Sequence, residues 1–233
     1  MPDFASRSTT PELMDAEGIA YEDFRACLND LAVVNTVTLA RPPTIAWLKR
    51  ATRGMSRFTL LDVGYGQGDM LRTILTWSRR NGIEADLIGV DLNPWSEAAA
   101  REATPGTDPI AYHTADVFAF EPERPVDFVV SSIFTHHLPD DALVRFVAWM
   151  EERAGRGWFV NDLHRLAFPY YGFALLARLA RWHRFVRHDG PVSIARSFRP
   201  EDWERAVVGA GLPVDAVEIR RVFPFRLCVG RLK

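Results

Sequence analysis

The densest run of chemistry-bearing residues is Asp62-Val63-Gly64-Tyr65-Gly66-Gln67-Gly68-Asp69. It follows a short apolar stretch, Phe58 to Val63, and opens a helical pattern. Closely spaced glycines let a backbone turn sharply and approach a ligand, and open parallel sheets bind ligands at the carboxyl ends of their strands. A dinucleotide fingerprint needs G-x-G-x-x-G with the pyrophosphate on the helix N-terminus. Here the glycines fall at 64, 66 and 68, and Asp69 at the helix start would repel a pyrophosphate. The G-K-[ST] of a Walker loop is absent, and a nicotinamide oxidoreductase is disfavoured by the glycine spacing. A cationic ligand without phosphate tolerates Asp62 and Asp69 far better.

Two further groups are candidates for binding and proton transfer. Leu87-Ile88-Gly89-Val90-Asp91-Leu92-Asn93 reads as a strand ending in an acid, 23 positions after Gly68. A carboxylate placed there can accept two hydrogen bonds from ribose hydroxyls. His136 and His137 follow a fourth apolar strand, and His164 follows a fifth, within Asn161-Asp162-Leu163-His164-Arg165. A phenol has a pKa of about 10 and a histidine of about 6.5, so a histidine can act as base at neutral pH. Asp162 can orient a histidine or bind substrate.

The elements that must position these groups are read from periodicity. Thr10-Pro11-Glu12 predicts a helix start, and Tyr21, Phe24, Cys27, Leu28, Leu31 and Val34 recur at helical spacing. Arg41-Pro42-Pro43 breaks that pattern before a second helix, Thr44 to Arg53. Strands and helices then alternate: helices at Asp69 to Asn81, Ser96 to Ala103, Asp140 to Arg153 and Pro200 to Ala210, and strands at Ala85 to Val90, Ile110 to Thr114, Val126 to Ser131 and Gly157 to Asn161. Tyr170 to Arg187 reads as one aromatic, arginine-rich helix. Val214 to Val222 and Arg226 to Arg231 form an antiparallel pair through Phe223-Pro224-Phe225. The pattern predicts an α/β fold with a mostly parallel sheet covered on both faces.

With these motifs the sequence resembles the class I S-adenosylmethionine-dependent methyltransferases, of a bacterial small-molecule subgroup. The resemblance runs from about Phe58 to Lys233. It implies a Rossmann-like seven-stranded sheet of order 3-2-1-4-5-7-6 with strand 7 antiparallel, and S-adenosyl-L-methionine as cofactor. The glycine loop would wrap the methionine end through Asp62, Gly64, Tyr65, Gly66 and Gly68. Tyr65 departs from the family, which usually has a small residue there. Asp91, with Leu92, would hold the ribose. Asp116 would accept the adenine amine, with Val117 or Phe118 packing on the ring. Ser131 and Ser132 would lie near the methionine portion. His137, His164 and His136 are the candidate catalytic residues. The Asn/Asp-Pro-Pro-Tyr/Phe of nucleic-acid base methyltransferases is missing after the fourth strand.

The expected organisation is an N-terminal helical extension over residues 1–55 and a cofactor-binding domain over 56–233, with an aromatic lid at about 165–199. Tyr21, Phe24, Asn35, Thr38 and Trp47 are expected to complete the pocket, and Phe168, Tyr170, Tyr171 and Phe173 to line it. Methyl transfer from a sulfonium is an in-line displacement in which positioning does much of the work. The favoured activity is O-methylation of a phenolic or polyketide-derived small molecule. The alternatives are C- or N-methylation of a small metabolite and, from another class, a non-catalytic cofactor-binding scaffold or regulator.

Charge and composition bound the partners. The chain of 233 residues holds 28 basic and 30 acidic residues, for a net charge of −2, which offers no case for general nucleic-acid binding. Lys49 and Lys233 are the only lysines, so 28 − 2 = 26 of the basic residues are arginines. Arg178, Arg181, Arg184 and Arg187 predict a charged helix face. Cys27 and Cys228 have no metal-site spacing and suit a reducing compartment. No apolar run reaches the ~20 residues of a membrane span, and no apolar signal region opens the chain. The expectation is a cytoplasmic protein, monomer or homodimer, without stable membrane insertion. No metal is expected, because no clustered Asp/Glu/His set is visible in the sequence.

Overall fold

The computed structural model describes residues 3–16 and 18–233. Seven strands form one sheet: β1 (Arg57–Val63), β2 (Glu84–Asp91), β3 (Ile110–Thr114), β4 (Val126–Ser132), β5 (Ala154–Leu163), β6 (Glu218–Val222) and β7 (Arg226–Leu232). Their order is β3-β2-β1-β4-β5-β7-β6, as the resemblance implied. All neighbours pair in parallel except β7, which runs antiparallel to both β5 and β6. The architecture is a Rossmann-like, mostly parallel sheet with one antiparallel strand.

Alternation along the central strands divides the core into two layers. Leu61, Val63 and Val129 face α5 (Asp140–Arg153) and α8 (Pro200–Gly209), meeting Leu143, Phe146 and Trp203. Phe58, Leu60 and Phe128 face the opposite way, onto α2 (Pro42–Ala51) and α3 (Asp69–Arg80), through Trp47, Leu48, Leu71 and Ile74. Burying each such side chain contributes about 1.5–3 kcal/mol. Trp47 stacks on Phe159 of β5 at 5.2 Å, and the Asn161 amide donates to the Ala40 carbonyl at 2.6 Å. The second N-terminal helix is thus a layer of the same core as the sheet.

Several boundaries differ from the sequence reading for identifiable reasons. Pro42 and Pro43 occupy the first turn of α2 and begin it, where a missing N–H costs nothing. Thr10-Pro11 starts no helix. Only a 3₁₀ turn forms, Leu13–Asp15, with the Leu13 and Met14 amides bound by the Asp189 carboxylate at 2.8 and 3.0 Å. The first true helix is α1 (Tyr21–Val37). The long aromatic helix is two: α6 (Ala167–Leu179) and α7 (Arg184–Arg196). Arg181 turns the chain at φ +55°, and the His183 ring caps the second helix by accepting the Phe185 amide. The first half of the expected sixth strand is a 3₁₀ turn, Val214–Ala216. The remaining helix, α4 (Pro94–Ala103), begins at Pro94, with Asn93 accepting the Trp95 amide.

Residues 4–15 run as a strap across the carboxyl edge of the sheet. The Ser8 amide donates to the Ala195 carbonyl at 3.0 Å. The Arg7 guanidinium donates to the carbonyls of His136, Leu138 and Arg196. Arg165, itself buried, reaches the Phe4 and Ala5 carbonyls.

Candidate active site

A cavity of about 820 Å³ opens at the carboxyl ends of β1, β2 and β4. Its floor is the glycine loop. Gly64, Gly66 and Gly68 have φ of +74°, +52° and +73°. At Gly64 a Cβ would come within 2.7 Å of the Phe134 ring, and at Gly68 within 2.5 Å of the Tyr112 hydroxyl. Both positions therefore require glycine for space as well as backbone. Tyr65 fits without disturbing the loop, because its ring turns into the core against Tyr112, with centroids 5.0 Å apart. Gly89 makes room for it, since a Cβ there would meet the Tyr65 ring at 2.6 Å.

Asp91 anchors the loop to β2. Its Oδ2 accepts the Gly66 amide at 2.8 Å and its Oδ1 the Asn93 amide at 2.9 Å. Each oxygen keeps a lone pair for a further donor. Burial pushes its carboxyl above the usual range, against those two hydrogen bonds. Asp62 lies beneath the loop, fully buried, with Oδ1 lacking a partner among the described residues. Burial, then the charges of Asp69 and Asp91, raise its pKa well above the ordinary value. Asp69 is neutralised by Arg41 at 3.0 Å and bound by the Asn35 amide at 3.0 Å. Two unneutralised buried carboxyls beside open space favour a cationic ligand, since a nearby positive charge stabilises their ionised forms.

Facing the loop is a cluster of histidines and carboxylates. His136 is fully buried, and its Nδ1 pairs with Asp162 Oδ1 at 2.8 Å. Asp162 also accepts the Thr135 hydroxyl at 2.5 Å, the His136 amide at 3.0 Å and the Leu163 amide at 2.7 Å. Burial would raise its pKa, but His136 and these donors hold the carboxyl far below the usual range. His137 is partly exposed to the cavity, with Nδ1 against Asp15 Oδ2 at 2.9 Å. Burial would lower its pKa. The Asp15 hydrogen bond and the charge of Glu12 outweigh that and hold it above the usual value. The Nε2 atoms of His136 and His137 point at the Glu12 carboxylate, at 3.6 and 3.9 Å. Glu12 is 7% exposed, and its Oε1 has no hydrogen-bond partner among the described residues.

The expectation that no Asp/Glu/His cluster exists is therefore corrected. Glu12, His136 and His137 bring ligand-type atoms within 4.8 Å of one another, and both Nδ1 atoms rest on carboxylates. Carboxylates placed in this way are common behind metal-bound histidines. Here, however, a cation is already present: Arg196 Nη1 lies 3.8 Å from Glu12 Oε1 and 3.5 Å from Asp15 Oδ2. A divalent ion would be repelled by it. The cluster is better suited to holding and moving a proton.

Of the sequence-derived candidates, Asp62, Gly64, Tyr65, Gly66, Asp91, Leu92, His136 and His137 line this one cavity, with Gly68 forming the hinge into α3. Others do not. Ser131 is buried and donates to the Val63 carbonyl, while the adjacent Ser132 lines the cavity. Val117 belongs to the core, and Asp116 is exposed, accepting the Phe118 amide. His164 lies at a separate pocket with Arg199, Arg221 and Phe225. Burial, then Arg221 and Arg199, depress its pKa. Phe24 and Asn35 reach the cavity, whereas Tyr21 packs on Trp95, Trp47 lies in the core and Thr38 binds Arg226. The lid contributes through Val186, Asp189, Gly190 and Ser193 of α7, not through the aromatic residues of α6. Glu12 and Asp15 were not found from sequence, since neither sits in a periodic element.

Residues 60–157 match the family model described as a methyltransferase domain. No curated protein matches the sequence. Solved structures share the fold at low identity. Magnesium protoporphyrin IX methyltransferase from Synechocystis PCC 6803 aligns with a TM-score of 0.55 and 12% identity, over 94% of this chain and 91% of that one. Human N-acetylserotonin methyltransferase, in complex with SAM, aligns at 0.60 and 14%, over 92% and 56%. The CurJ carbon methyltransferase aligns at 0.56 and 15%, over 79% and 51%. Fold and family match point the same way: residues 60–157 match a methyltransferase domain, and the sheet as a whole has the fold of these solved methyltransferases.

Proposed function

We propose that this protein transfers the methyl group of S-adenosyl-L-methionine to the oxygen of a phenolic or polyketide-derived small molecule. The observation that carries this reading is the placement of His137 and the glycine loop on one cavity, with Asp15 and Glu12 behind the imidazole. Asp62 and Asp91 are offered to the cationic cofactor. His137, held by Asp15, takes the proton from the attacking hydroxyl through Nε2, and Glu12 stabilises the imidazolium that results. His136 is too enclosed by Asp162 and Glu12 to be the first acceptor, and serves to position them. His164 has no part in this scheme. The apolar wall of Phe24, Leu28, Leu31 and Phe134 suits a flat acceptor. The proton is removed without a metal ion, and the working location is the cytoplasm.

Carbon methylation is the second reading, because a histidine base also serves an acidic carbon, and the CurJ enzyme is a carbon methyltransferase. The product separates the two: a phenolic acceptor yields a methyl ether in the O-reading and a ring- or chain-carbon methyl in the other. The cofactor assignment is tested by calorimetry. S-adenosylmethionine or its demethylated product binds, NAD does not, and Asp91→Ala weakens binding about tenfold or more while the protein still melts cooperatively. Tight NAD binding, or unchanged affinity in Asp91→Ala, sinks the assignment.

A further inference from the structure

Helix α6 is apolar on both sides. Its inner side packs through Pro169, Phe173 and Ala177. Its outer side carries Phe168, Tyr171, Leu175 and Leu179, spaced at i, i+3, i+7 and i+11 on one stripe. Phe168, Leu175 and Leu179 are 73%, 60% and 73% exposed. The stripe continues into the β6–β7 turn: Phe168 meets Phe225 at 5.5 Å, and Phe223 beside it is 80% exposed. A surface helix of a soluble protein normally turns a polar face outward, and a contiguous apolar patch of this kind marks an interaction surface.

Charge identifies the occupant. Residues 163–188 hold five arginines and no aspartate or glutamate, in a chain whose net charge is −2. Arg178, Arg181 and Arg187 are exposed and form no ion pair among the described residues, whereas Arg184 is held by Asp23 at 2.8 Å. Apolar side chains flanked by free arginines match an anionic bilayer, with the rings and leucines below the headgroups and the guanidiniums among the phosphates. The helix spans 13 residues, too short to cross a bilayer, and no described helix is long and apolar enough to do so. We propose that α6 and the β6–β7 turn dock this protein onto the surface of an anionic phospholipid bilayer, with α6 lying in the plane of the interface. The neighbouring α7, which walls the cavity, then lies close to the membrane.

The test is co-sedimentation of the full chain with vesicles of phosphatidylcholine, with and without phosphatidylglycerol. The wild-type protein pellets with the mixed vesicles and is released by salt. Leu175→Glu with Leu179→Glu replaces exposed residues, leaves cooperative melting intact and weakens vesicle binding about tenfold or more. Arg178→Gln, Arg181→Gln and Arg187→Gln together remove the preference for phosphatidylglycerol, about a hundredfold at about fivefold per arginine. Failure of the wild type to pellet, or equal pelleting of the leucine variant, overturns the proposal. So does light scattering that shows a dimer dissociated by the leucine changes, with no vesicle binding, since the patch is then a contact between copies. Cofactor affinity is measured separately, so the loss of one property leaves the other readable.

Discussion

Asp162→Asn changes one atom in the most heavily bonded carboxylate of the site. Asp162 is fully buried and accepts four hydrogen bonds, from the Thr135 hydroxyl, the His136 amide, the His136 Nδ1 and the Leu163 amide. Its charge also faces Arg226, buried and with its own pKa lowered to about 10 by desolvation. Asparagine keeps one acceptor oxygen and puts an NH₂ against the donors on the other side. About two donors lose their partner, at roughly 1–3 kcal/mol each, and Arg226 loses its countercharge. Breaking a buried charged pair costs about 3–5 kcal/mol. The first route gives about 2–6 kcal/mol and the second about 3–5 kcal/mol, so a loss of about 3–5 kcal/mol is expected, measurable by urea unfolding with an unchanged m-value. The pH dependence carries a sign. The folded-state pKa of Asp162 is depressed, so its stabilisation is fully present above the unfolded value of about 3.9 and is lost as pH falls below it. The variant therefore closes on the wild type in acid. A cost below about 1 kcal/mol at pH 7, or a gap that widens in acid, refutes the reasoning.

Other consequences follow from the same geometry. Gly68→Ala forces a Cβ onto Tyr112 at φ +73° and should destabilise the fold by about 1–3 kcal/mol while abolishing cofactor binding in calorimetry; retained affinity argues against the loop's role. Because His137 titrates above its usual value and must be neutral to accept a proton, kcat/KM should rise with pH through the range above about 6.5, and His137→Ala should flatten that rise. Prolonged treatment with a chelator should leave methyl transfer unchanged, since Arg196 already neutralises Glu12 and Asp15; restoration of lost activity by one divalent metal would place an ion at the histidines.

The sheet was legible because its central strands are continuous apolar runs with punctuated ends, and because the glycine loop marks where β1 stops. Asp91 was legible for the same reason, as an acid at the end of β2. Glu12 was not. Its partners lie more than 120 positions away, and it belongs to a strap with no periodicity, so no local signal announces it. The aromatic lid illustrates a different limit. Spacing told which residues of α6 share a face, but both faces are apolar, and only the packing of Ala177 and Phe173 decides which one turns inward. Asp116 and Val117 show that a family position can be matched in order yet lie off the cavity wall.

The strap has a bearing on biosynthesis. Residues 4–15 leave the ribosome early, yet their partners are His136, Leu138, Arg165, Asp189 and Ala195. A nascent chain that ends before Asp189 already holds His136 and His137 but lacks Asp189, Ala195 and Arg196, the α7 groups that fasten the strap. The strap that carries Glu12 and Asp15, two of the cluster's three carboxylates, is thus fastened only once α7 has been made, and an incomplete chain can form the glycine loop before the strap is fixed over it.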